Sequence, residues 1–115
     1  MRYAFGPGHD GRVIAGVAQI TLDSFSRDGM TENVHITVPP HDPASSEKLT
    51  KVFAVYAPAA PRADEDAQSY LNADGRYVGD VSIVDAAMST AVTIAVANVP
   101  AGAWYVQTIL QYEQA

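Results

Sequence analysis

The residues best suited to chemistry are three histidines, a set of carboxylates and a few loop serines. His9, His35 and His41 are the natural metal-ligand candidates, yet none stands in a His-x-His or His-Glu-x-x-His spacing. A protein zinc site needs three or four converging ligands, so the three imidazoles are expected to be structural or solvent-facing. Asp64, Glu65, Asp66, Asp74 and Asp80 offer hard oxygens for calcium. They lack the ligand spacing and the glycine of an EF-hand loop, which reads as a solvated acidic face. Ser24, Ser26 and Ser69 have no Gly-x-Ser-x-Gly elbow around them. Asp28 with Glu32, or Asp64 with Asp66, could serve glycoside hydrolysis only across a cleft of defined width, and so small a domain leaves little room for one. The run Gly6-Pro7-Gly8-His9-Asp10-Gly11 is followed by no helix and is therefore no phosphate loop. No catalytic residue, cofactor or metal ligand is assigned, and the expectation is a protein that is not an enzyme.

Composition narrows the rest. The 115 residues fit one domain, taken as 1–115 with residues 1–11 as a candidate N-terminal arm. A net charge of -6 with seven Lys and Arg argues against a phosphate-binding surface, so nucleic acid is not an expected partner. Without cysteine there is no disulfide and no thiolate. No apolar run approaches the roughly 20 residues that cross a bilayer, and no membrane partner is expected. Val13 to Ala18 is too short, and too interrupted by Gly16, for a signal sequence, and reads as a strand.

The elements follow from a period of two. Arg2 to Phe5 reads either as a short edge strand or as a piece that reaches onto a neighbouring subunit, and Gly6 to Gly11 as a loop. Val13 to Leu22 is the first long strand, with Gly16 marking a bulge or a close approach. Asp23 to Glu32 reads as a polar loop. Asn33 to Val38 turns Val34, Ile36 and Val38 inward and His35 and Thr37 outward. Pro39 to Pro43 ends that strand. Ala44 to Lys51 has the composition for one helical turn. Val52 to Tyr56, apolar on both faces, is expected to be central or covered. Pro58 to Ser69 reads as the longest irregular stretch. Tyr70-Leu71 and Arg76 to Val84 read as a hairpin about Asp74-Gly75, with Tyr77, Gly79, Val81 and Ile83 sharing a face. Asp85 to Ser89 is a short connection. Thr90 to Val96 and Trp104 to Tyr112 are strands joined by Asn98 to Gly102, expected to be the best-buried part. Because little sequence follows Tyr112, the last strand is expected at a sheet edge, or beside the N-terminus or another subunit.

The sum is an all-β chain: an antiparallel β-sandwich of seven or eight strands, immunoglobulin-like or jelly-roll-like, with no helix that matters. The candidate core is Val34, Ile36, Val81, Ile83, Ile94, Val96, Trp104, Val106 and Leu110.

Val99-Pro100-Ala101-Gly102-Ala103-Trp104-Tyr105-Val106 resembles the turn-into-strand segment of immunoglobulin-like and fibronectin III-like sandwiches. The family's tyrosine corner falls here at Trp104. The whole chain is similar in type to the small, acidic, cysteine-free sandwich proteins that tailed bacteriophages place on their virions. That resemblance implies a capsid decoration or cement protein, made in the host cytoplasm and bound to the capsid surface. Its implied partners are the major capsid protein or other virion proteins, and copies of itself in a homo-oligomer such as a trimer. The candidate interface is Arg2, Tyr3, Phe5, Pro7, Phe25, Arg27, Met30, Pro40 and His41. The alternative is a carbohydrate- or receptor-binding module of a phage tail, baseplate or cell surface, with tyrosines as its platform.

Overall fold

The structure, a computed structural model, describes residues 1–8, 20–84 and 88–114. The readings placed on His9 to Gly11, on Val13 to Gln19 with Gly16, and on Asp85 to Ala87 lie outside the described residues. The chain is all-β, with seven antiparallel strands among the described residues arranged as a β-sandwich. The strands are β1 (Arg2–Gly8), β2 (Thr21–Asp28), β3 (Thr31–Val38), β4 (Glu47–Ala57), β5 (Tyr77–Ser82), β6 (Thr90–Val96) and β7 (Tyr105–Gln114), with a short helix, α1 (Ala67–Asn72), between β4 and β5. One sheet has the order β1-β7-β4-β5 and the other β2-β3-β6.

Alternation decides which side chains meet between the sheets. Val34, Ile36 and Val38 of β3 and Ile94 and Val96 of β6 face Val52, Ala54 and Tyr56 of β4 and Val106, Leu110 and Tyr112 of β7 in one buried cluster. His35 and Thr37 point outward, half-buried. Val81, Ile83 and Trp104 are partly buried and pack against this cluster from its margin. Trp104 stands edge-on to Tyr77, with centroids 5.3 Å apart at 83°. Its indole N–H donates to the Pro100 carbonyl at 2.9 Å, back into the preceding turn.

β4 is apolar on both faces because it is covered on both. Its outward Val55 and Ala57 join Ile109, Ala67 and Tyr70 in a second cluster under α1. Asp66 caps this helix by accepting the Ser69 N–H at 2.8 Å. That bond holds its carboxyl below the ordinary range. Tyr70 reaches from the helix to the Ala59 carbonyl at 2.7 Å, and the Arg76 guanidinium stacks 4.2 Å over its ring. The Pro58–Ser69 stretch therefore ends in a helix, and Tyr70-Leu71 is helical, not the first arm of a hairpin. Asp74-Gly75 instead turns the chain from α1 into β5, with Gly75 at φ +79°.

Other sequence expectations are corrected as well. Residues 2–8 are a strand paired along β7, not an arm, and Gly6-Pro7-Gly8 belongs to it through a register shift between Phe5 and Gly8. Pro7 has no N–H for a ladder, and the bulge leaves carbonyls unpaired. Two buried polar residues of β7 take them up: Gln107 Nε2 donates to Gly6 O at 2.8 Å, and Thr108 Oγ1 to Pro7 O at 2.6 Å. Asp23 to Glu32 is not a loop but most of the β2–β3 hairpin, closed at Gly29 with φ +64°. Ala44 to Lys51 forms no helical turn, since Glu47 onward is β4. β7 is not an edge strand. It lies between β1 and β4, so of the alternatives expected for the last strand the one that holds is a neighbour from the N-terminus. β6 and β7 sit in different sheets, so residues 97–104 arch across the sandwich, with Asn98 at φ 61° and Gly102 at φ 153°. Gly79 lets β5 close against β6, for a Cβ there would run into the Ala95 carbonyl oxygen.

Candidate functional site

The strand directions place two different ends on the sandwich. At one end stand the Asp28–Thr31 turn and the 97–102 arch, joined by Val99 N–H to Met30 O at 2.9 Å. Arg27 sits beneath them, with Nε donating to Gly29 O at 2.8 Å, Nη2 to Val99 O at 2.7 Å, and Nη1 to the Glu32 carboxylate. Arg27, read as an interface residue, is thus a clamp for its own turns. Tyr56 lies buried nearby, where desolvation and the Glu32 charge push its phenol above the ordinary value.

At the other end the sheets gape. Val38, Leu49, Ile83, Val92 and Tyr112 form the walls and floor of a mouth of about 420 Å³. That volume is within the usual range of ligand-binding clefts. Two large apolar side chains stand on its rim almost fully in solvent, Val84 at 82% exposure and Met88 at 76%. Polar groups gather on the opposite rim. The Arg2 guanidinium holds Glu47 through Nε and Nη2 at 3.0–3.2 Å and lies 4.6 Å over the Tyr112 ring. These bonds keep the Glu47 carboxyl below the ordinary range. Asp42 is turned back to cap the Ala44 N–H at 2.9 Å, whereas the half-buried His41 ring makes no hydrogen bond among the described residues.

Of the nine candidate interface residues, Arg2, Pro40 and His41 come together at this mouth. Met30 is at the opposite end, 53% exposed, and Phe25 is at 38% on the β2 edge. Tyr3, Phe5 and Pro7 are not free surface. Tyr3 packs on Phe53, Phe5 packs edge-on against Tyr70, and Pro7 is buried. The mouth's apolar residues Leu49, Val84 and Met88 went unnoticed in the sequence. Its available signal was an apolar residue at each end of the connection between β5 and β6.

Among the described residues, the one nucleophile-and-base arrangement lies elsewhere. On the outer face of the three-stranded sheet Ser26 Oγ is 3.0 Å from His35 Nε2, and His35 Nδ1 is 3.0 Å from Thr93 Oγ1. This row crosses three strands on an open face with no carboxylate on the imidazole. The neighbouring Asp23 is bonded to Thr37. Its physical effect is to tie β2, β3 and β6 together across the strands. No group of three or more His, Asp or Glu placed to hold a metal occurs among the described residues. All six tyrosines are buried or half-buried, which leaves no exposed tyrosine platform for a sugar.

Comparison with known proteins finds no match: no family model fits the chain, and no curated protein or solved structure is significantly similar to it.

Proposed function

We propose that this chain is an assembly module that works by docking to other protein through the open end of its sandwich, in the manner of a capsid decoration protein of a tailed bacteriophage. The carrying observation is the mouth itself. An apolar floor lies next to Val84 and Met88, so that exposed apolar side chains and an apolar hollow are continuous at this end of the sandwich. Large exposed apolar side chains beside a polar rim are the usual anatomy of a protein-binding patch. The other polar clusters already have internal work: Arg27 clamps turns, Ser26, His35 and Thr93 bridge strands, and Gln107 and Thr108 satisfy a bulge.

The expected partners are the major capsid protein and neighbouring copies on a virion surface. Pelleting with expanded, undecorated tailed-phage capsids tests this. The wild-type protein is expected to pellet saturably, and Val84→Asp with Met88→Asp is expected to remain in the supernatant while staying folded. Wild-type protein left in the supernatant would overturn the capsid assignment.

A further inference from the structure

We propose that Ser26, on the outer face of the three-stranded sheet, is a nucleophile that cleaves small neutral phenyl esters, with His35 as its base and the Asn33 amide as donor to the oxyanion. The site is on a different face from the mouth and does not rest on the docking reading.

The row through His35 has the order that activates a serine. Ser26 Oγ is 3.0 Å from His35 Nε2, and Nδ1 on the far side of the ring is 3.0 Å from Thr93 Oγ1. A hydroxyl and a base within hydrogen-bond reach, the base itself oriented by a third group, is the arrangement that nucleophilic catalysis needs. With the ring proton on Nδ1 and donated to Thr93, Nε2 presents its lone pair to Ser26. Ser26 belongs to β2 and Thr93 to β6, so the imidazole on β3 is held from both sides. Bracing the strands in this way takes one bond of Ser26 Oγ and leaves the residue exposed.

The register of the sheet supplies the oxyanion donor. Ser26 stands opposite Asn33, and directly opposed residues have Cβ atoms about 4.5–5.5 Å apart on one face. The Asn33 side chain is half-buried and makes no hydrogen bond among the described residues. Its amide N–H groups are therefore unspent beside the place where charge develops on an attacked carbonyl. Ser24 along β2 and Ala95 across from Asn33 are short and exposed, which leaves the hydroxyl open to a molecule arriving from solvent.

The surroundings set the substrate class. Asp28, two residues along β2, and Asp23, which accepts a hydrogen bond from Thr37, put two exposed carboxylates on this face, and they repel anionic esters. A flat face has no pocket for a large acyl group, so the acyl group is small and the leaving group is a good one, a phenol. In the transfer, Ser26 Oγ bonds to the carbonyl carbon as its proton passes to Nε2. The bond to the phenol oxygen then breaks, and the departing phenolate takes that proton. Water attacks acyl-Ser26 through the same base, releasing the carboxylic acid and restoring the hydroxyl. A hydroxyl in place of a carboxylate behind the imidazole, and a face open to water, make the turnover slow.

The full chain is treated with an uncharged alkyl fluorophosphonate, weighed intact and mapped, and hydrolysis of p-nitrophenyl acetate is followed by nitrophenolate absorbance. A single phosphonyl group on Ser26 and hydrolysis above the buffer rate are expected. Mapping the wild-type chain reads Ser26 directly, whatever the variants do to stability. Ser26→Ala, shown to be folded by its melt, should lose both signals. His35→Gln keeps an amide within reach of both hydroxyls but has no base, and should slow both reactions about 100-fold. Asn33→Ala should slow hydrolysis about tenfold, less than the roughly 100-fold that a water-excluded site loses with such a donor. An unlabelled chain, a label placed elsewhere, or a folded Ser26→Ala that hydrolyses the ester as fast as wild type would each overturn the proposal. An Asn33→Ala rate equal to wild type would overturn the oxyanion assignment.

Discussion

The Thr108 hydroxyl donates to the Pro7 carbonyl at 2.6 Å, joining residues 101 positions apart in a buried bond. With the neighbouring bond from Gln107 to Gly6 at 2.8 Å, it replaces the ladder that a proline and a bulge take out of β1. The N-terminal strand is therefore held by side chains where backbone pairing fails.

Thr108→Val keeps the shape and removes the donor. It leaves the Pro7 carbonyl buried without a partner, which costs about 1–3 kcal/mol. Urea unfolding should show the lower midpoint with an unchanged slope. Thr108→Ser should retain most of the lost stability.

Gly79→Ala tests the closure of β5 on β6. The added methyl meets the Ala95 carbonyl oxygen, which is backbone and cannot swing aside. Overpacking of this kind costs about 1–3 kcal/mol. Thermal melts should show the loss, and amide exchange should rise first along Tyr77–Ser82.

Trp104 combines a ring packed on Tyr77 with a hydrogen bond to Pro100. Trp104→Ala is expected to cost on the order of 3 kcal/mol, the lower part of the range for an aromatic truncation because the ring is only partly buried. Trp104→Phe keeps the edge-on contact and loses the bond to the arch, so its cost should be smaller. A soluble, fully stable Trp104→Ala protein in a melt would remove Trp104 from the packing account.

Alkali should unfold the protein through its buried phenols. Burial pushes Tyr70 up to about 12 and raises Tyr56 and Tyr112 above the ordinary 10.0. Below pH 10.0 both folded and unfolded chains keep these protons. Above it the unfolded chain releases protons that the fold retains, so stability falls as pH rises. Phenolate absorbance should titrate in two groups, the buried set appearing together with loss of structure. Acid acts on the opposite sign: Glu47, held low by Arg2, stabilises the fold above the ordinary carboxylate range, and that contribution fades as pH falls through its folded value.

The sandwich was legible because its strands alternate. Val34, Ile36 and Val38, or Val106, Leu110 and Tyr112, announce a face by spacing alone. Gly6-Pro7-Gly8 was not legible as strand, since composition speaks for a loop and the rescue comes from Gln107 and Thr108, a hundred residues away. The helix at Ala67–Asn72 was hidden for a related reason. It is six residues long, and it forms because Tyr70 and Ala67 have an apolar sheet face to cover, a tertiary cause that outweighs local propensity. Of the site, the sequence pointed to Arg2, Pro40 and His41 separately. Their convergence with Val84 and Met88 depends on which strand ends meet, and that is a matter of topology.

Hydrogen exchange on capsid-bound against free protein tests the docking claim most directly. The account predicts slowed exchange confined to the mouth, at residues 38–45, 82–84 and 88–92, with the outer faces of both sheets unchanged. Slowing confined to those outer faces, or none at all in protein that has demonstrably bound, would contradict it.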